Sequence, residues 1–100
     1  MFLGNVRLND MFSRRWFELG RIRSDEGFWI GFGHKSIKYM DDRGEVIAGY
    51  EDGYLFPDIS RTGPPRQLIP APERDIIVDR IVRALEWDRK AVTIWKGQRD

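Results

Sequence analysis

In 100 residues, 17 Lys and Arg oppose 16 Asp and Glu for a net charge of +1, with 41% apolar and 33% charged residues, the composition of one globular domain over residues 1–100. Folding at this length buries roughly 60 to 70% of the surface the unfolded chain exposes, enough for a core without metal or disulfide staples. Cys is absent and His34 is the single His, which excludes disulfides, thiolate metal sites, cysteine nucleophiles and, within one protomer, any two-His site. A Ser-His-Asp triad stays arithmetically possible, but the balance weighs against an enzyme, and no cofactor or metal is expected.

The first sixty residues have strand-like spacing. Trp16, Phe17, Leu19 and Ile22 lie in one short β-prone run, and Phe28, Ile30 and Phe32 alternate with Trp29, Gly31 and Gly33. The two runs are expected to pair through a turn at Asp25-Glu26-Gly27. Ile37 and Tyr39 then alternate with Lys38 and Met40, and after Asp41-Asp42-Arg43-Gly44 the period of two resumes at Val46, Ala48 and Tyr50, which predicts a hairpin. A second turn at Asp52-Gly53 leads into Tyr54-Leu55-Phe56, a strand that Pro57 confines to an edge or a short length. These strands form an antiparallel meander.

Gly63, Pro64, Pro65, Pro70 and Pro72 fall within ten residues, a density that predicts a crossing loop. From Pro72 the period becomes helical. Ile77, Ile81, Ala84 and Leu85 share a face that Val78 and Val82 widen, and Glu73 and Asp75 sit near the positive end of the dipole. Each large apolar side chain fully covered by packing that face on the sheet contributes roughly 1.5 to 3 kcal/mol before entropy is subtracted. The helix is expected to end near Asp88, and Val92 and Ile94 predict a last short strand. The fold class is thus α+β: an antiparallel sheet of about five to six strands, one long C-terminal helix on one face, and a final short strand.

The C-terminal run carries a resemblance. Glu73-Arg74, the stretch Ile77-Val78-Asp79-Arg80-Ile81-Val82-Arg83-Ala84-Leu85-Glu86-Trp87, and Val92-Thr93-Ile94, all after Pro64-Pro65, resemble the end of a family of small immunity proteins of bacterial polymorphic toxin systems, the one catalogued as number seventy-four. The match covers about a third of the chain. It implies a cognate toxin protein as partner, neutralised by tight binding in the cytoplasm, and leaves that toxin's activity unnamed.

Gly31-Phe32-Gly33-His34-Lys35-Ser36 lacks the Gly directly before Lys and the following helix that a phosphate loop needs, so its glycines are read as permitting close backbone approach in a twisted sheet. His34 reads as a polar residue at a strand end. The carboxylates Asp41, Asp42, Glu45, Glu51, Asp52 and Asp58 belong to an acidic middle segment, residues 24 to 58, with three bases and eight acids. Several fit turn chemistry, but if both turns emerge at one end of the sheet or flank one face they form an acidic rim able to occupy a basic cleft in a toxin.

Trp29 completes the candidate partner-binding set. If Phe28, Ile30 and Phe32 face the helix, Trp29 points away from it and can anchor a protein partner or a second copy of the chain; in the reversed register it is buried. The rival from another class is a small single-stranded nucleic-acid-binding domain, with Arg7, Arg14, Arg15, Arg21 and Arg23 beside Trp16, Phe28 and Trp29 on one sheet face. Near-neutral total charge and the missing ribonucleoprotein-type strand motif speak against nucleic acid. No apolar run is long enough to span a membrane, and the start of the chain lacks a signal-peptide layout, so no membrane partner is expected and the compartment is read as the cytoplasm.

Overall fold

The computed structural model describes residues 12–14, 20–62 and 67–96. The predicted contributions of Trp16, Phe17 and Leu19 therefore lie outside the described residues, as do Gly63, Pro64 and Pro65.

The chain forms a curled, mostly antiparallel sheet with one helix, so the α+β class holds. A two-residue strand β1 (Phe12–Ser13) lies against β2 (Arg21–Ser24), and the meander continues through β3 (Trp29–Gly33), β4 (Ser36–Asp41), β5 (Gly44–Glu51) and β6 (Tyr54–Leu55). The turns use the chemistry expected of them. The Glu26 amide donates to Ser24 Oγ, the Arg43 amide donates to Asp41 Oδ1, and Asp52 and Gly53 take φ of 55° and 83°, the left-handed pair of a two-residue hairpin.

Register sorts the side chains between two faces. Ile22, Ile30, Tyr39 and Val46 are paired across four strands, and Phe32, Ile37 and Ala48 form the next row on the same face. The first row is fully buried, together with Ile37, Ala48 and Leu55. Rows of the opposite face read Arg23, Trp29, Met40, Glu45 and then Arg21, Gly31, Lys38, Ile47.

Helix α1 (Ala71–Trp87) covers the first face. Pro70 precedes it and Pro72 lies in its first turn, where a missing N–H costs nothing, and the buried residues Ile77, Val78, Ile81, Ala84 and Leu85 are those its period predicts. Phe28 stacks on Tyr39 beneath this face, with ring centroids 5.5 Å apart.

Two expectations need correction. The stretch after Phe56 is more than a crossing loop: β7 (Ser60–Arg61) pairs with β5, and β8 (Gln67–Leu68) pairs with β7. Such two-residue pieces need few free amides and fit between prolines without producing a readable period, so nine strands appear among the described residues where about five to six and a final short one were expected. The sheet is also not wholly antiparallel. The helix carries the chain back across the sheet, so β9 (Thr93–Ile94) enters beside β6 in the same direction, as crossover connections do.

Candidate functional site

The side of the sheet away from α1 is uncovered among the described residues, and Trp29 sits on it. The guanidinium of Arg21 lies over the indole, 3.9 Å from the ring centroid, which holds both side chains in one orientation. Beside this pair is a shallow depression of about 430 Å³, floored by Gly20, Gly31 and Gly33 and walled by Trp29, Lys38 and Ile47. A Cβ on Gly33 would stand 2.8 Å from Ser36 Oγ, so a larger residue there would make the serine side chain turn aside. The Gly31–Ser36 run forms strand, turn and strand, with His34 exposed in the turn, so no helix terminus follows it to receive phosphate.

Along β5 the open face carries Glu45. Thr62 Oγ1 donates to Glu45 Oε1 at 2.8 Å and Lys38 Nζ lies 3.2 Å from Oε2, and these two contacts, Thr62 foremost, hold the carboxyl below its ordinary range. Glu51 pairs loosely with Lys35 at 3.4 Å. Tyr54, Phe56 and Trp95 cluster at the β6–β9 end, Trp95 lying 5.6 Å from each of the other two rings.

The predicted acids do not form one rim. The turn holding Asp41 and Asp42 and the turn holding Asp52 lie at opposite ends of the eight-residue β5, roughly 25 Å apart. Asp42, Asp52 and Asp58 are exposed at separate places. Asp41 points to the helix side, with a side chain only 9% exposed, and is committed to an internal network.

Arg61 is the centre of that network. It is 7% exposed and donates to Asp41 Oδ1 at 3.0 Å, to Glu73 Oε2 at 2.7 Å and to the Gly44 carbonyl at 3.1 Å. Tyr39 Oη donates to Asp41 Oδ2 and accepts from Arg80, both at 2.8 Å, while Arg43 reaches the other oxygen of Glu73 at 3.0 Å. Burial alone would raise the Asp41 carboxyl, but hydrogen bonds from Arg61, Tyr39 and the Arg43 amide outweigh it and hold the group below its ordinary value. Arg61 likewise holds Glu73 low, whereas burial pushes the Tyr39 phenol up to about 12. Arg80 and Arg83 extend the same edge to Glu26 on the β2–β3 turn. The network ties the helix to two turns and offers no reactive group to the open face.

Arg61, Glu73 and Arg80 carry no local sequence signal of this network. Their partners stand 12 to 41 residues away, so no local spacing announces them; the Glu in the first helical turn signals only the dipole.

The basic and aromatic residues expected to share a nucleic-acid platform are divided. Phe28 is buried on the helix side and Arg14 pairs with Asp88 at 2.9 Å, leaving Arg21, Arg23 and Trp29 together on the open face. Arg7, Arg15 and Trp16 lie outside the described residues. Among the described residues no three His, Asp or Glu side chains converge as metal ligands, and no helix is long and apolar enough to cross a membrane. No family model, curated protein or solved structure matches the chain.

Proposed function

We propose that the chain is a non-enzymatic binding protein that recognises another protein through the open sheet face, and that the partner is a toxin acting in the cytoplasm, for which the chain is the immunity protein. The observation that carries the binding role is Trp29, held by Arg21 on the face of β2 to β5 that is uncovered among the described residues. Large aromatic and Arg side chains dominate interface energies, and holding them in place before contact lowers the entropy lost on binding. The toxin as partner rests on the resemblance of the C-terminal run. Inhibition is steric: the sheet face covers the toxin's active site or a surface it needs.

The candidate residues divide accordingly. Trp29 supplies contact area, Glu45 lies in its cross-strand row, and Glu51 lies on the same face at the other end of β5. Asp42, Asp52 and Asp58 affect encounter through the long-range field rather than as a single rim. Asp41 is structural.

Co-expression with the toxin domain encoded beside this gene tests the proposal. A complex that co-purifies and restores growth is expected; absence of both defeats the immunity role. Arg21 and Lys38 on either side of the depression favour one second reading, single-stranded nucleic acid stacked on Trp29. That reading predicts RNA binding that weakens steeply with added salt, and a salt-independent response or no binding removes it.

A further inference from the structure

The outer row of strands is interrupted. β6 and β7 both lie along the far edge of β5, β9 is added outside β6, and β8 outside β7. Pro57 and Asp58, in the link from β6 to β7, have no strand beyond them among the described residues. A groove of about 590 Å³ opens here between the end of the sheet and the helix, with Pro57, Val78, Val82 and Ile94 as its apolar lining. Its charged lining is Asp58, Asp75 and Asp79 with Arg74; Asp79 is already held by Arg83 at 2.9 Å, which leaves Asp58 and Asp75 as the acids open to a cation.

Hydrogen bonding shows which backbone groups of β9 face outward beside the groove. The Thr93 amide donates to the Gly53 carbonyl and the Trp95 amide to the Leu55 carbonyl, both at 2.8 Å. In a parallel pair alternate residues address the neighbour, so the N–H and C=O of Ile94 point to the outer edge. Thr93, Ile94 and Trp95 put no charge along that edge, and charge is the usual guard against a foreign strand. Arg74 stands 3.8 Å from Asp75 in an exposed pair, a contact that water already weakens and an incoming cation can replace.

We propose that this groove receives a short extended segment of a partner protein. The segment adds as a strand against Ile94, lays an aliphatic side chain between Val78 and Val82, and sets a Lys or Arg against Asp58 and Asp75. Backbone pairing supplies affinity and the acidic rim selects a cationic sequence. Leu55 and Arg61 stand opposite Tyr50 and Val46, about 13 Å apart along β5, a length that an extended segment of about four or five residues spans. This surface lies on the helix side, separate from Trp29, and does not depend on the toxin reading.

The test titrates the isotope-labelled full chain with a blocked pentapeptide of alternating Val and Lys, followed by amide chemical shifts, beside a peptide with Glu in place of Lys. Saturable shifts are expected at Asp58, Val78, Val82 and Ile94, with the Glu peptide at least tenfold weaker. Asp58→Lys combined with Asp75→Lys, both exposed changes, should weaken the Lys peptide at least tenfold. Ile94→Pro, which removes the outward amide where an edge strand tolerates proline, should abolish binding. Four results would each overturn the proposal: no saturable shift, equal response to the two peptides, shifts gathered around Trp29, or concentration-dependent shifts at Ile94 without peptide, which would assign the groove to a second copy of the chain.

Discussion

The two faces of the sheet are built on opposite terms. The helix-side face is a closed row of aliphatics ending in a network in which Arg61 joins Asp41 and Glu73 and Tyr39 joins Asp41 and Arg80. The other face carries half-buried or exposed side chains, Trp29, Lys38, Glu45 and Ile47, held by a stacking contact and a loose ion pair. Structural order is concentrated on one side. Substitutions on the other side are therefore expected to leave the fold unchanged.

Mutations should separate the faces sharply. Ile81→Ala leaves a cavity under the helix and should cost about 3 kcal/mol. Arg61→Ala removes the guanidinium from Asp41, which keeps Tyr39 and the Arg43 amide as partners, and is expected to cost about 1.5 to 3 kcal/mol, the range for hydrogen bonds to charged groups. Urea unfolding with an unchanged slope measures both, and a loss below about 1 kcal/mol in either would show that the helix face is not the stabilising one.

Titration sharpens the same contrast. Asp41 and Glu73 are held below their ordinary values in the folded chain, so their contribution is present above about pH 4 and is lost as pH falls through the lowered values. Arg61→Ala should flatten this acid limb. The Tyr39 phenol is raised, so its contribution is present below about pH 10 and is lost as pH rises toward about 12. Tyr39→Phe should remove that alkaline step from the stability profile; an unchanged profile would show that the phenol titrates alike in both states. On the open face Ile47→Ala is expected to cost less than about 0.5 kcal/mol, since 41% of that residue is already in water.

What was legible in the sequence follows from how local each signal is. Asp52-Gly53 and Asp41 to Gly44 carry their turns within four residues, the period of two places Trp29 opposite Ile30, and the helical period names the buried face of α1. The same alternation separates Phe28 from Trp29, so a platform needing both on one face was inconsistent with the pattern that suggested it. Other features are set at long range. The partners of Arg61 are chosen by the packing of β5, β7 and α1, which also takes Asp41 away from the surface. β7 and β8 are too short for any period, and the parallel entry of β9 depends on where the helix ends in space.

The central claim is that the proposed recognition of a toxin belongs to the open face and stability to the covered one. Its most direct test is calorimetric affinity of the wild-type chain and of Trp29→Ala for the toxin domain encoded beside the gene. The account predicts a tight complex that Trp29→Ala weakens by about thirtyfold or more, the measure of an interface hot spot, with the melting temperature essentially unchanged. A folded Trp29→Ala protein that binds as tightly as wild type would contradict it.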